Sequence, residues 1–341
     1  MHAPDHVPMR KPSPGGQPSD AALGTTRSRP AFPRARVAKC DPPPVRRVVV
    51  LVALVASLAV GSGVRAAPMP VLELHPAEGF PPVAVDAFLA ASDQLVRRPD
   101  GTFTAPAAGE TPTRLDVRDC TVAQGPAGVG CYAGLAPGPP TVYGAVHRRP
   151  GRIVVQYWFF EPVNLWSPVV PAAANAWQAH EGDWEHIAVV LDRRGTPLQA
   201  GYAQHCGGVR TPWSQVPRYG RTQRPLVYVG LGSHASYLRR GVQATDPRCW
   251  PDPQVVQSVF RALGYRLVDH AGGGRRITAP RLVRLTSTSP SWTGFAGTWG
   301  EDQYARLGDA TFKDGAGPIG PTHKRAWRDP VATVASWPLA R

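Results

Sequence analysis

The densest group of side chains that could do chemistry lies in one ten-residue segment, QAHEGDWEHI at 178–187. Asp183 and Glu185 are two residues apart, so they share one face of an extended strand. Two carboxylates held close together repel, unless one takes a proton or a cation neutralises them. With the His180 imidazole as a third ligand, the segment predicts a site for Mg²⁺, Ca²⁺ or Mn²⁺, and less readily for Zn²⁺.

The same side chains have two other interpretations. Asp183 and Glu185 could pair with arginines in a structural salt-bridge network, with His180 and His186 as hydrogen-bonded histidines of the fold. Alternatively, a bound metal could lower the pKa of a water molecule while a nearby histidine acts as acid or base, which would make the protein a metal-dependent hydrolase of phosphoesters. No individual catalytic residue is predicted.

Two further histidines stand where a predicted strand meets a turn. His205 ends one strand and His234 follows another. Because the ends of neighbouring strands can share one edge of a sheet, both are predicted to reach the same end of the sheet as His180.

The elements that must position these residues are mainly strands. Segments rich in Val, Ile and aromatic residues, bounded by Gly, Pro and Asp, predict strands over 141–147, 152–160, 184–191, 198–205, 226–230 and 281–287. Apolar periodicity predicts one helix over 83–97 and a second, short one over 254–264. Strands without regularly alternating helices predict an all-β protein with minor helices, an antiparallel β-sandwich of a single domain.

Alternation along the central strand predicts where its two carboxylates point. Ile187, Val189 and Leu191 continue their face, and this apolar trio is expected to face the core. The carboxylates would then lie at the open end of the sandwich. His180 is expected in the preceding loop, which turns back tightly at Gly182.

The N-terminal part of the chain is typical of an exported protein. Residues 1–47 are rich in Pro, Ser, Gly and Arg without periodicity, which indicates a disordered, overlong leader. The pair Arg46-Arg47 precedes the apolar stretch 48–60, and small residues follow, so 48–67 is predicted to be a secretory signal peptide. An uncleaved signal anchor is the alternative, although the stretch is shorter than the about 20 apolar residues of a spanning helix.

Cleavage is expected after Ala66 or Ala67. The secreted chain would then begin with a helix and a loop-rich lead-in over 68–140, followed by the β-sandwich domain over 141–341.

Cysteine usage agrees with export. Cys40 lies in the leader, and the mature chain keeps an even number of cysteines, as expected in an oxidising compartment. Three pairings are open. We favour Cys120–Cys131, which closes a short Gly-rich loop, and Cys206–Cys249, which ties a strand end to a later loop.

Composition limits the function classes. The chain has 341 residues, 43% of them hydrophobic, and a formal net charge of +14. This hydrophobic fraction predicts a packed core rather than a wholly disordered chain. Half of the positive excess lies in the first 67 residues, and the remainder is a diffuse arginine excess with only two lysines, Lys313 and Lys324. Because nucleic-acid binding needs a clustered basic patch, no nucleic-acid partner is predicted.

A series of ordered motifs over about 150–330 resembles the vacuolar protein sorting-associated protein 62 family. The motifs are YWFFEPVN at 157–164, HEGDWEH at 180–186, PLVYV at 225–229, GSHASY at 232–237, GTWG at 297–300 and GPTHKRAWRDP at 320–330. The first half of this pattern is also similar to the necrosis- and ethylene-inducing-like proteins. These are secreted cytolysins that carry a G-H-R-H-D-W-E motif in a β-sandwich.

The second resemblance implies a cation site and a membrane ligand. In that family the first His, the Asp and the Glu of the motif bind a divalent cation needed to engage sphingolipid headgroups. The matching positions are His180, Asp183 and Glu185, and a further acid of the upstream aromatic strand would fall near Glu161 or Asn164. The chain departs from the motif at 181 and 182, where Glu and Gly replace Arg and His. This departure bears on the toxin activity rather than on the cation.

Together these observations predict a secreted, non-enzymatic β-sandwich that binds a divalent cation. The cation would engage an anionic or polyol ligand, such as a glycolipid headgroup or a cell-surface glycan, with peripheral contact to a membrane. Additional residues expected to line the site are Glu161, Asn164, His205 and His234. A phosphoester hydrolase and an exported scaffold without metal are the rival predictions.

Overall fold

The structure is a computed structural model that describes residues 67–341, except 136–137, 168, 171–175, 247–248, 250–257, 259–261, 263, 265 and 341. The predicted leader and almost all of the predicted signal peptide therefore lie outside the described residues. Most of the helix predicted over 254–264 lies outside them too.

Strands dominate the described residues. In chain order they are β1 (Val71–Glu73), β2 (Ser92–Arg97), β3 (Phe103–Thr104), β4 (Arg114–Val117), β5 (Thr141–Arg149), β6 (Arg152–Trp166), β7 (Val169–Val170), β8 (Trp177–Leu191), β9 (Pro197–Gln204), β10 (Gly207–Pro212), β11 (Leu226–Val229), β12 (Ser236–Tyr237), β13 (Gly241–Ala244), β14 (Arg266–Ala271), β15 (Arg276–Ile277), β16 (Arg281–Arg284), β17 (Thr298–Trp299), β18 (Gln303–Leu307) and β19 (Ala310–Gly315).

The helices are short. The α-helices with described bounds are α1 (Val85–Ala91), α2 (Arg325–Arg328) and α3 (Pro330–Ser336), and 3₁₀ turns occupy Gly125–Ala127, Gly130–Leu135, Trp213–Gln215, Ser291–Gly294 and Pro321–His323. Within the described ranges, no helix has the length and hydropathy needed to cross a bilayer.

Two sheets build the body of the fold. The larger has eight strands, in the order β10-β9-β8-β6-β5-β16, with β18 joined to β8 and β19 to β18. A four-stranded sheet has the order β12-β11-β1-β15. Most neighbours are antiparallel, whereas β1–β11, β5–β16 and β4–β17 are parallel pairs. The predicted all-β, sandwich-like fold is confirmed.

The large sheet is buried on both faces. Ile187 and Val189 of β8 pack with Leu72 and Val227 of the four-stranded sheet. On the opposite face, a second core, the aromatic core, is rich in aromatic rings, including Trp158, Phe160, Trp184, Trp299 and Phe88. Burial on both faces explains why 153–160 of β6 and 187–191 of β8 read as nearly continuous apolar runs instead of alternating ones.

The helix predicted over 83–97 is only half right. α1 ends at Ala91, where the Ser92 hydroxyl donates a hydrogen bond to the Phe88 carbonyl oxygen. Residues 92–95 pair instead with β4, as strand β2. The apolar periodicity was real, but pairing with a distant strand overrode it.

Both predicted disulfides are present in the structure. Cys120 is bonded to Cys131, and Cys206 is bonded to Cys249. The second links the turn between β9 and β10 to the segment after β13, across a sequence separation of 43 residues.

Candidate functional site

The two longest strands bring two acidic residues face to face. β6 and β8 are antiparallel neighbours, with Glu161 opposite Asp183 and Asn164 opposite His180. His180 therefore lies within β8, and its expected position in a preceding loop was wrong. The prediction failed because the polar residues at the start of this segment look like a loop when the partner strand is unknown.

The pairing of these strands is interrupted at Pro162 and Gly182. Phe160 and Val163 of β6 both belong to the aromatic core, although strict alternation would place residues three apart on opposite faces. Gly182 has φ +61, and a Cβ there would lie 2.3 Å from the Trp299 carbonyl oxygen. The residue pairing has the same register before and after this point. Each strand therefore leaves one residue unpaired, and neither strand gains a residue relative to the other.

Glu161, Asp183 and His234 form a compact buried group. Their candidate ligand atoms all lie within 4.8 Å of one another. His234 follows β11 with φ +53, and its Nδ1 lies 3.0 Å from Asp183 Oδ2. Asn164 Nδ2 donates to the same oxygen at 3.5 Å. Within the described part of the chain, Glu161 Oε2 has no hydrogen-bond partner.

Opposite pKa shifts divide the charge in this group. Burial, together with the Asp183 and Glu78 carboxylates, raises the pKa of Glu161 well above its usual value. Burial also opposes ionisation of Asp183, but the hydrogen bond from His234 and the charges of nearby basic groups together outweigh it and lower the pKa of Asp183. Burial of His234 is likewise outweighed by the Glu78 and Asp183 carboxylates, which raise its pKa. Without a cation, these shifts favour the protonated form of Glu161 and an imidazolium at His234 that neutralises Asp183.

His180 and Glu185 lie beside this compact group rather than in it. His180 Nδ1 lies 2.7 Å from the Gly182 carbonyl oxygen. A carbonyl can only accept, so Nδ1 carries the proton and Nε2 keeps its lone pair. Burial lowers the pKa of His180, which keeps the ring neutral. Burial and the Asp183 charge raise the pKa of Glu185. Of the three ligands predicted first, only Asp183 belongs to the compact group, and ligation by the other two stays a prediction.

Sequence reasoning missed two charged residues of the site. Glu78, in the irregular segment before α1, accepts hydrogen bonds from the backbone of Phe80 and Gly232, and one of its oxygens lies 3.5 Å from His234 Nε2. Lys324 Nζ donates to the Trp184 carbonyl oxygen at 2.8 Å. No pattern marked Glu78. Lys324 could have been noticed as one of two lysines in the predicted mature chain.

His205 belongs to a neighbouring arrangement. It has φ +47, and its Nε2 lies 2.8 Å from Asp269 Oδ2, which also accepts a hydrogen bond from the Tyr237 hydroxyl. Burial would lower the pKa of His205, but the Asp269 carboxylate raises it. His205 lines a cleft of about 460 Å³ together with Glu185 and Lys324. The cleft therefore extends to Glu185, beside the compact group.

Glu181 stands where the G-H-R-H-D-W-E motif has Arg, and its side chain points away from the compact group. Its two carboxyl oxygens accept hydrogen bonds from the backbone N–H groups of Val117 and Glu301, both at 2.9 Å. Burial and the nearby Asp116 carboxylate raise the pKa of Glu181 to about 8. This residue therefore ties β4 and the segment before β18 to β8, which is a structural role.

The sequence comparisons find two yeast relatives. Vacuolar protein sorting-associated protein TDA6 of Saccharomyces cerevisiae is 25% identical over 214 residues, which cover 54% of this chain and 44% of that protein. Vacuolar protein sorting-associated protein 62 of the same organism is 24% identical over 184 residues, covering 48% and 38%. The chain spans less than half the length of either curated relative. No family model matches the sequence.

The structural comparisons find necrosis- and ethylene-inducing proteins. NLPPya in complex with glucosamine is 14% identical, with 78% of this chain and 86% of that chain covered at a TM-score of 0.34. The non-toxic HaNLP3 protein is 14% identical, with 63% and 70% covered at 0.30. Necrosis and Ethylene inducing Protein 2 from the causal agent of cocoa's Witches Broom disease is 14% identical, with 71% and 79% covered at 0.28. Both kinds of protein that the motifs resemble are thus among those that the chain matches.

Proposed function

We propose that this protein is a secreted, non-enzymatic β-sandwich protein that binds a divalent cation at Glu161, Asp183 and His234, and through it an anionic or polyol ligand. The ligand class comprises glycolipid headgroups and cell-surface glycans. One observation carries the proposal: three buried ligand side chains converge within 4.8 Å, and a carboxyl oxygen of Glu161 has no partner among the described residues. A buried polar atom without a partner is costly, and a cation removes that cost.

The charges around the compact group of Glu161, Asp183 and His234, here called the cation cluster, support a divalent ion. Six ionisable side chains take part, namely the carboxyl groups of Glu78, Glu161, Asp183 and Glu185 and the cationic groups of His234 and Lys324. Without a metal, two carboxyl groups must stay protonated to balance the cluster, which agrees with the raised pKa values of Glu161 and Glu185. A divalent ion takes the place of the His234 proton, because an imidazole must be neutral to bind a metal. Three of the four carboxyl groups can then be ionised while these six groups and the ion are neutral together.

The donor atoms suit a hard cation. Carboxylate oxygens of Glu161 and Asp183 are the ligands that Ca²⁺, Mg²⁺ and Mn²⁺ prefer, and the neutral His180 nitrogen could supplement them. Such ions keep exchangeable positions in their shell, so hydroxyl or acidic oxygens of a ligand can complete it. A nitrogen-poor set favours Zn²⁺ less.

Export is part of the proposal and rests on different observations. The basic, apolar and small-residue pattern from Arg46 to Ala67 is typical of a signal peptide. Two disulfides agree with an oxidising compartment. A chain tethered by its uncleaved signal anchor is the alternative form of the same proposal.

The test is titration of the chelator-treated, exported protein with Ca²⁺, Mg²⁺ and Mn²⁺, followed by calorimetry and by the melting temperature. A cation that binds only the folded state raises the melting temperature. Because Glu161 is a neutral acid without metal, Glu161→Gln should leave metal-free stability nearly unchanged while weakening cation binding at least about ten-fold, or about 1.4 kcal/mol. Asp183→Asn should abolish the difference between melts with cation and with chelator.

Glu110→Gln is the matched control, since Glu110 pairs with Arg98 at the surface. It should bind cations like the wild type. The proposal is wrong if the wild type binds none of the three ions at millimolar concentration, or if Glu161→Gln binds them unchanged. A loss of stability in Glu161→Gln that is equal with and without metal would instead indicate a structural network.

A further inference from the structure

We propose that the cleft beside the cation cluster is a subsite for an acidic group, a carboxylate or a phosphate, on a sugar-sized ligand. This inference rests on the proposed function, because it names the class of ligand that the same binding region takes. It adds to the proposed cation site, because protein side chains, and not the metal, would bind the acidic group of the ligand.

The cleft has the size and the walls for such a ligand. Its volume is about 460 Å³, within the roughly 300–1,000 Å³ of small-molecule pockets. It lies between the middle of β8, the turn after β9 and helices α2 and α3. Trp184 and Trp337 supply apolar wall, and Glu185 borders the cation cluster. A ligand of one or two sugar rings can therefore occupy the cleft and still reach the cluster.

Two side chains of the cleft carry positive charge with donors to spare. Lys324 uses one N–H for the Trp184 carbonyl oxygen, and an ammonium group has three. Arg325 is exposed at the start of α2, and its guanidinium makes no hydrogen bond or ion pair with the described residues. Its planar fork matches the two oxygens of a carboxylate or a phosphate.

His205 adds a third donor with a fixed direction. Its Nε2 is bonded to the fully buried Asp269, so Nδ1 is the nitrogen left for the cleft. The residue has φ +47, a conformation that a non-glycine residue keeps only where its surroundings determine it. Asp269 is held in turn by the Tyr237 hydroxyl. The His205 imidazole is therefore held in one orientation before a ligand binds.

The acidic residues of the cleft do not cancel these donors. Glu185 lies on the side of the cation cluster, where a bound cation would offset its charge. Asp246 lies on another wall, where one of its oxygens would be 3.6 Å from a Cβ at Gly207. Burial lowers the pKa of His186 to about 3, so that ring is neutral. Lys324 and Arg325 thus keep donors that these acidic side chains do not occupy among the described residues, and those donors favour an acidic ligand.

The test compares glucuronic acid, glucose 6-phosphate, glucose and inorganic phosphate, measured by calorimetry and by the fluorescence of the cleft tryptophans. Both acidic sugars should bind at least ten-fold more tightly than glucose, and glucose 6-phosphate more tightly than inorganic phosphate. Arg325→Gln should weaken the acidic sugars about five- to ten-fold. Arg328→Gln, on the same helix but not lining the cleft, is the matched control and should change nothing.

A second variant tests whether the cleft, and not only one exposed arginine, binds the acidic sugars. His205→Asn should also weaken the acidic sugars, because Asn tolerates a positive φ but carries no charge. Sedimentation with phosphatidylcholine vesicles, with or without phosphatidylinositol, distinguishes a lipid headgroup from a soluble sugar acid. Binding of either a lipid headgroup or a soluble sugar acid supports the subsite if Arg325→Gln weakens that binding.

Failure of this inference is distinguishable from failure of the proposed function. If glucose binds as tightly as glucuronic acid, or if Arg325→Gln keeps full discrimination, the acid subsite is wrong even where cation binding is intact. If the wild type binds no cation yet binds acidic sugars through Arg325, the proposed function is wrong and the subsite stands.

Discussion

At the scale of single residues, neighbouring carboxyl groups of the candidate site have opposite ionisation preferences. The pKa of Asp183 is lowered because His234 donates to it, whereas Glu161, on the adjacent strand, has no such donor among the described residues and its pKa is raised by burial. Glu185 resembles Glu161 in this respect. Among the proposed ligands, Glu161 and His234 therefore hold protons where a cation would otherwise lie, and the cation and these protons compete.

This competition predicts a cation affinity that rises with pH. A cation binds an ionised carboxylate and a neutral imidazole, so Glu161 and His234, whose pKa values are raised, must release protons when the ion binds. Affinity for Mn²⁺ should increase from pH 5.5 to 7.5, because deprotonation of both groups becomes easier. Calorimetry in buffers of different ionisation enthalpy counts the protons released, and Glu161→Gln, which has no carboxyl proton to lose, should release fewer. An affinity that does not change over this range would contradict the assignment.

At the scale of the elements, the paired interruption of β6 and β8 decides which side chains face the cluster. With uninterrupted alternation, Glu181 would share the face of Asp183, and His180 would point away. The interruption exchanges them, so that Glu181 binds backbone on the far face while His180 lies on the side of Asp183. A local backbone conformation thus determines the composition of the site.

Gly182→Ala should be strongly destabilising. The residue needs φ +61, and a Cβ would lie 2.3 Å from the Trp299 carbonyl oxygen, which belongs to backbone and cannot move cheaply. Gly151→Ala is the matched control, since Gly151 has φ +74 but only the Arg193 side chain nearby, at 3.9 Å. Backbone strain alone costs about 1–2 kcal/mol. Urea unfolding should show a clearly larger loss for Gly182→Ala, and equal losses would refute the close approach.

Glu181 should make stability depend on pH. Its pKa is about 8 in the folded protein, against 4.5 as an ordinary value, so the folded state holds a proton that the unfolded state has lost. Its stabilising contribution is full below about pH 4.5 and is lost as the pH rises to about 8, by at most about 1.4 kcal/mol per pH unit.

Urea unfolding in chelator at pH 5 and at pH 8 measures this contribution. Glu181→Gln cannot titrate, so the difference between the two pH values should shrink in the variant. An unchanged difference would show that Glu181 ionises normally.

At the scale of the whole molecule, the chain is part of the sandwich from the first described residues onward. The Tyr157 hydroxyl, in the middle of β6, donates to the Ala67 carbonyl oxygen, and both residues are buried. β1 follows at once and lies between β11 and β15 in the four-stranded sheet. The segment expected as a lead-in therefore contributes a central strand.

This anchoring sharpens the predicted cleavage site. Cleavage after Ala66 keeps the Ala67 carbonyl that Tyr157 binds, whereas cleavage after Ala67 would remove it. We therefore expect the secreted protein to begin at Ala67, as mass spectrometry of the N-terminal peptide would show. A mature chain that begins at Pro68 would contradict the preference. Protein that stays in the membrane with an intact leader would contradict export itself.

Much of the fold could be predicted from the sequence, because strand signals are local. Val, Ile and aromatic runs between Gly and Pro turns marked the cores of β5, β6, β8, β9, β11 and β16, and even cysteine usage pointed to both disulfides. The ends of β6 and β8 were missed, since their outer residues are polar and become strand only by pairing with each other. For the same reason, Ser92–Arg97 was assigned to a helix.

The candidate site divides in the same way. Sequence alone placed Asp183 and Glu185 on one face, because alternation within a strand is a property of the local backbone. Only the tertiary structure brought Glu161, His234 and Glu78 to Asp183, and only it set Lys324 and His205 beside Glu185. These residues come from separate strands and loops, and no local pattern encodes which of them meet. Packing of the two sheets and the positive φ of Gly182 and His234 decide it.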